Sequence, residues 1–206
     1  MHLEVLVEEE SMEAALNNIL PRILPGTVTF RVHPYKGKSD LLAKLPSRLK
    51  GYRAWLPPDI RLIVLLDLDI GDCHELKERL EKIAHDAGFC TKSRPDADGK
   101  YSVLNRIAIE ELEAWFFGDA EAIVKAFPGV PESIGKRRPY RNPDAIKGGT
   151  WEALERILKS AGYYGGGIPS VETARKISEH MDPQRNRSYS FGVFRDGVND
   201  LVRTDA

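Results

Sequence analysis

The run Ile63-Val64-Leu65-Leu66-Asp67-Leu68-Asp69 decides how this chain folds. A continuous apolar stretch of this length, flanked by Arg61 and Asp72, reads as a central strand buried on both faces. It ends by carrying two carboxylates into the loop at its C-terminal edge, where ligands sit in open α/β sheets. Strand alternation puts Asp67 and Asp69 on the same side, so both can approach one hard cation through oxygen. Two carboxylates left unpaired on a buried strand are costly. A divalent metal is the simplest expectation, with buried Arg or Lys partners as the alternative.

The chain on either side supports a sheet around this strand. His2 to Val7 alternates as a first strand, and Met12, Ala15, Leu16, Ile19 and Leu20 follow at helical spacing until Pro21 and Pro25. Thr27 to Val32 reads as a second strand, and Leu41, Leu42, Leu45 and Leu49 as a second helix entered at Ser39. Pro57-Pro58 breaks the chain before the central strand. His74 to Ala87 is amphipathic, with Gly88 at the position of a C-terminal cap. Phe89 to Lys92 and Tyr101 to Ile109 are further strand candidates. The order predicts an α/β fold, a mostly parallel sheet with helices on both faces. Residues 1–118 form that α/β part and 119–206 a helical extension packed on it. Helices are expected at Glu111 to Phe117, Ala120 to Phe127, Trp151 to Ala161, Ser170 to Met181 and Ser188 to Val202.

A length of 206 residues, 42% hydrophobic and 30% charged, is ordinary for a globular protein. The formal net charge of −1 supplies no global field toward nucleic acid, so any such affinity needs a local patch. Cys73 and Cys90 have no ligand spacing, which suits a reducing compartment and argues against zinc. Met1-His2-Leu3-Glu4 lacks a basic, apolar leader, and no apolar run is long enough for a bilayer. A cytoplasmic location without membrane contact is expected.

Acidic residues follow three predicted strands: Glu8 and Glu9 the first, Asp67 and Asp69 the central one, Glu110 and Glu111 the last. In a parallel sheet those ends share one edge, so the carboxylates can converge. Such a set suits Mg²⁺ or Mn²⁺, which take oxygen ligands and can activate water against a phosphodiester.

These residues carry a resemblance. A first strand ending Val7-Glu8, and an Asp67-x-Asp69 pair after an apolar strand, is similar to the Toprim fold of topoisomerases, primases and overcoming-lysogenization-defect nucleases. More closely, the chain resembles the DUF4276 family of Toprim-like proteins. The segments are Val7-Glu8-Glu9-Glu10-Ser11-Met12-Glu13-Ala14, Leu65-Leu66-Asp67-Leu68-Asp69 and Ile107-Ala108-Ile109-Glu110-Glu111-Leu112-Glu113-Ala114-Trp115-Phe116, the last followed by Gly118-Asp119. The resemblance implies a metal-dependent nuclease in which Glu8, Asp67 and Asp69 bind the ion and Glu111 or Glu113 completes or flanks the site. It also implies a prokaryotic defence effector beside a partner ATPase. Glu9 stands where Toprim sequences commonly place Gly, which leaves open whether Glu8 or Glu9 turns inward. No Walker A pattern is present, so the chain is not expected to hydrolyse ATP by itself.

Blander readings stand beside these. Asp67 or Asp69 can cap the helix near His74, the three glutamates can form a solvated helix start, and Trp115 and Phe116 can be core. His74 is a group that orients a ligand, a general base, or simply a surface helix start. Lys136, Arg137, Arg138 and Arg141, with Tyr140 among them, form the one dense basic patch. It is a nucleic-acid contact, with Tyr140 stacking on a base, or a solvated or partner-binding loop. Two rival functions remain. One is a non-catalytic adaptor for an ATPase. The other is a haloacid-dehalogenase-type phosphatase with Asp67 as nucleophile, matched less well because Gly71 stands where Thr or Val is usual and the motif lies in mid-chain.

Overall fold

The computed structural model describes residues 1–55, 57 and 59–203. Four parallel strands, β1 (His2–Val7), β2 (Thr29–Pro34), β3 (Ile60–Asp67) and β4 (Val103–Ala108), form one sheet in the order β2-β1-β3-β4. Three helices separate them in sequence: α1 (Glu10–Ile19), α2 (Lys38–Trp55) and α3 (Cys73–Asp86). Five more follow: α4 (Leu112–Gly118), α5 (Ala120–Ala126), α6 (Thr150–Ser160), α7 (Ser170–Ser178) and α8 (Tyr189–Arg203). The expected α/β class with a parallel sheet and a C-terminal helical part is what forms.

β3 is central because its side chains are apolar on both faces. Ile63 and Leu65 join Val5 and Val7 in a core against α1 and the C-terminal helices. Leu62, Val64 and Leu66 join Leu6 in a second core against α2 and α3. Parallel strands expose no free face, and a buried strand therefore reads as a continuous apolar run. The C-terminal helices complete the first core. α7 packs on α1, α8 on β4 and α6 on α4.

Strand order reverses direction between β1 and β3. From β1 the chain moves outward to β2, then returns past β1 to β3 and β4. Helices leaving the two central strands lie on opposite faces, and a crevice opens at the carboxyl ends of those strands. That topology alone places the ends of β1 and β3 at a ligand position.

One expected element does not form. Phe89 to Lys92 is no strand; Thr91 makes only isolated bridges to Arg94 and Val103. Gly88 terminates α3 with φ +83°, and the Phe89 amide turns back to donate to the Ala84 carbonyl. The segment 128–149, between α5 and α6, holds three short 3₁₀ turns. Pro58 lies outside the described residues, while the Pro57 carbonyl accepts from the Ile60 amide just before β3. Among the described residues no helix is long and apolar enough to cross a membrane.

Candidate functional site

A cavity of about 300 Å³ opens at the carboxyl ends of β1 and β3. Its walls are Glu8, Glu9, Asp67, Asp69, Glu111, Glu113, Trp151 and Ser170. The sheet edge thus gathers the acidic groups that follow three different strands, and the first turns of α6 and α7 close the far side.

Asp67 is the last residue of β3 and shares the face of Ile63 and Leu65, so it points into the core between α1 and α4. It is 7% exposed, and its Oδ1 atom has no hydrogen-bond partner. Its own amide donates to Glu8 Oε2 at 3.3 Å, which draws the ends of β1 and β3 together. Burial pushes the Asp67 carboxyl well above the usual range, and the charges of Glu113, Glu8, Asp69 and Glu9 add to the rise.

Asp69 lies past the strand end with a left-handed backbone, φ +51°, so strand alternation no longer directs it. It still lines the cavity, and Lys38 from the start of α2 holds its Oδ2 at 2.6 Å. Lys38 Nζ also donates to the Leu68 carbonyl at 2.9 Å. The Leu68 amide donates to Ala108 and the Asp69 amide to Glu110, each at 2.8 Å, so the pairing of β3 with β4 continues into the loops. Glu110 is itself left-handed, φ +63°. It orients the turn and stays off the cavity wall.

The two glutamates of the first strand end have separate settings. Burial raises the Glu8 pKa, Lys38 opposes that, and the charge of Asp69 adds to it. Glu9 precedes α1 and accepts from the Ser11 hydroxyl. Both reach the cavity, so the absence of a Gly after Glu8 turns neither away.

Glu113, in the first turn of α4, is 7% exposed, and burial lifts its pKa to about 8. Glu111 is engaged elsewhere as well. Its Oε2 accepts from the Thr150 hydroxyl and the Trp151 amide, both at 2.8 Å. It thereby caps α6, whose own N-cap position is Gly149 and offers no side chain.

The helix-cap alternative for Asp67 and Asp69 does not hold, because Asp72 performs that task. Its Oδ1 accepts from the His74 and Glu75 amides at the start of α3. His74 is an exposed helix start away from the cavity walls.

The Trp115 block is structural. Trp115 is fully buried, meets Phe191 edge-on at 5.2 Å, and donates from Nε1 to Ser190. A Cβ on Gly118 would meet the Asn186 side chain at 2.0 Å and the Ser188 amide nitrogen at 2.9 Å. Asp119 accepts two hydrogen bonds from Arg185 and one from the Asp182 amide. These residues bolt the start of the helical part to the segment before α8.

The basic patch is not part of the acidic cavity. Lys136, Arg137, Arg138 and Arg141 are exposed and none lines it. Arg141 Nε donates to the Lys136 carbonyl, which folds the loop onto itself. Tyr140 stacks on Phe117 at 5.1 Å and 15°, so its ring is already used in packing. Lys38, Trp151 and Ser170 are wall or support residues that sequence reading did not single out. A lysine opening the helix after the second strand, at the same sheet edge, was the available signal for Lys38.

Among the described residues, no three His, Cys, Asp or Glu side chains already stand in an arrangement that holds an ion. Cys73 and Cys90 are unpaired. No curated protein and no solved structure matches this chain. The family model described as "Domain of unknown function (DUF4276)" matches residues 7–199, from the end of β1 into α8. The match takes in every strand end that contributes a carboxylate, and the chain therefore belongs to the DUF4276 family.

Proposed function

We propose that this protein is a Toprim-like, divalent-metal-dependent phosphodiester hydrolase acting on nucleic acid. The observation that carries the reading is Asp67: a buried carboxylate with an orphaned Oδ1, in a cavity walled by carboxylates at the switch between β1 and β3. Burying such groups without a counter-charge is unfavourable. An all-oxygen acidic donor set is what Mg²⁺ or Mn²⁺ takes, so the residues present fit the ion.

Asp67, Glu8 and Asp69 would hold the ion, with Glu113 and the remaining oxygen of Glu111 at its flank. When bound, it supplies polarisation of a phosphate oxygen and a more acidic water. Lys38 fixes the Asp69 carboxylate and places a positive charge on the rim where a phosphate enters. Burial raises the Glu113 pKa to about 8, which favours its neutral form in the ion-free protein and limits repulsion within the cluster. The Toprim relation brings with it an ATPase partner in a prokaryotic defence system and cytoplasmic action. The arginines and lysine at 136–141 are then a partner or substrate surface apart from the acidic cavity.

The test combines thermal unfolding with and without Mn²⁺ and cleavage of a labelled oligonucleotide. Saturation at about 100 times Kd stabilises by roughly 2.7 kcal/mol, a rise of several degrees for a chain of this size. Asp67→Asn is expected to fold, to lose the Mn²⁺ response and to lose cleavage. Undiminished cleavage by that variant rules the proposal out, and a wild-type protein with no response to the ion is an adaptor.

A further inference from the structure

A second cavity, of about 510 Å³, lies at the same sheet edge beyond β2. It is lined by His33, Tyr35, Lys36, Asp40, Lys44 and Arg48, together with Pro34 and Ser47. Asp40, Lys44, Ser47 and Arg48 lie one or two turns apart on one face of α2, opposite the end of β2. We propose that this cleft binds the phosphate groups of a nucleic-acid strand and leads it to the carboxylate cavity. Its ligand class rests on the phosphodiesterase reading, while its geometry does not.

Charge is the first argument. Three permanent cations face the cleft against a single carboxylate. Asp40 is already paired with Lys44 at 2.6 Å and also accepts from the Lys36 amide. Among the described residues no carboxylate pairs with Lys36 or Arg48. Arg48 is held by a neutral group: it donates to the Tyr52 hydroxyl at 2.9 Å and lies 4.8 Å over that ring. Tyr52 in turn donates to Glu4, as does His33. Arg48 is thereby oriented without being neutralised, which suits a guanidinium that receives an outside anion.

Position is the second. The turn after β2 is the wall between the two cavities. Its Tyr35 amide donates to the Val7 carbonyl at 3.0 Å and its Gly37 amide to the Glu8 carbonyl at 2.9 Å. Glu8 faces the acidic cavity, Tyr35 and Lys36 face the cleft, and Lys38 reaches back to Asp69. A row of cations therefore runs from Arg48 and Lys44 through Lys36 and Lys38 to the carboxylates. A phosphodiester backbone repeats its charge at intervals and follows such a row; an isolated phosphate uses only one place on it. The half-buried Tyr35 ring lies beneath the Lys44 ammonium, 6.0 Å from its centroid, and helps to place that cation on the cleft wall.

Fluorescence anisotropy with a short fluorescein-labelled single-stranded DNA, in EDTA, tests the cleft without the ion. Lys36→Glu/Lys44→Glu changes two exposed side chains and is checked for an unchanged melting temperature. Affinity is expected to fall by at least about tenfold, and the salt slope to flatten by about 0.7 for each phosphate that the variant no longer neutralises. Wild-type affinity in this variant, with or without a loss in Lys136→Glu/Arg138→Glu, overturns the proposal. So does competition by adenosine monophosphate as effective as that by the DNA, which marks a single-phosphate site. Hydrolysis of bis(p-nitrophenyl) phosphate with Mn²⁺ reads the acidic cavity separately, because that substrate has no strand to place in the cleft. Loss of DNA affinity without such hydrolysis leaves the cleft standing and removes the enzyme reading; hydrolysis with unaltered DNA affinity does the reverse.

Discussion

Lys38 Nζ stands 2.6 Å from Oδ2 of Asp69 and 2.9 Å from the Leu68 carbonyl oxygen, and it is the cation that the ion pairs place at the carboxylate cavity. It does part of what a bound metal would do, offsetting negative charge at the end of β3. Lys38→Met is expected to lower the ion-free melting temperature by about 2–4 °C, since a half-exposed pair contributes at most about 1 kcal/mol. The rise on adding Mn²⁺ should exceed that of the wild type, because no side-chain cation then competes for Asp69. Differential scanning fluorimetry in EDTA and in Mn²⁺ measures both; a smaller Mn²⁺ response would show that Lys38 assists binding.

Glu111 tests whether a cavity residue serves the fold. Its Oε2 is the cap of α6 through Thr150 and Trp151. Glu111→Ala should cost about 1–2 kcal/mol, in the range of missing helix caps, even in EDTA. Glu111→Gln keeps an acceptor oxygen and should recover most of that stability. If chemical denaturation finds the Ala variant as stable as the wild type, Glu111 is not a cap.

Acid sensitivity is expected from the opposite face of the sheet. Glu81, on α3, is almost wholly buried and accepts from Lys77, Thr91 and Asn105. Burial alone would raise its pKa, but these three partners together bring it below the ordinary value of 4.5. A depressed carboxylate stabilises above the unfolded pKa, and that contribution disappears as pH falls through the folded value. Wild-type stability should therefore drop below about pH 4.5. Glu81→Gln should lose about 1–2 kcal/mol at pH 7, because Lys77 loses its counter-charge while keeping its bond to the Asn105 carbonyl, and show a shallower fall in acid. Urea unfolding at pH 7 and pH 4 decides it; parallel pH profiles would remove Glu81 from the account.

The sheet was legible because β3 has apolar side chains on both faces, and that pattern has few other uses in a chain of this length. Convergence of Glu8, Asp67 and Glu111 followed from parallel strands sharing one edge, while Glu113 was pointed to by the family resemblance alone. Phe89 to Lys92 misled because its residues suit a strand, while the α3 terminus takes the Phe89 amide, a local turn to Arg94 takes that of Thr91, and only the Lys92 amide reaches β4, at Val103. The double duty of Glu111 depends on Thr150 and Trp151, some forty residues away, and no local pattern encodes that contact. Likewise, density of charge in sequence singled out residues 136–141. The cations of the β2–α2 cleft are spread over a strand end, a turn and one helix face, and only folding assembles them.

Strand pairing continues past the ends of β3 and β4, through Leu68 to Ala108 and Asp69 to Glu110. The loop that bears Asp69 is thus the terminal rungs of a ladder, and loosening it means unzipping β3 from β4. Amide protons at Leu68 and Asp69 should exchange as slowly as those of interior strands, unlike ordinary loop amides. An incoming ligand meets a mould already set.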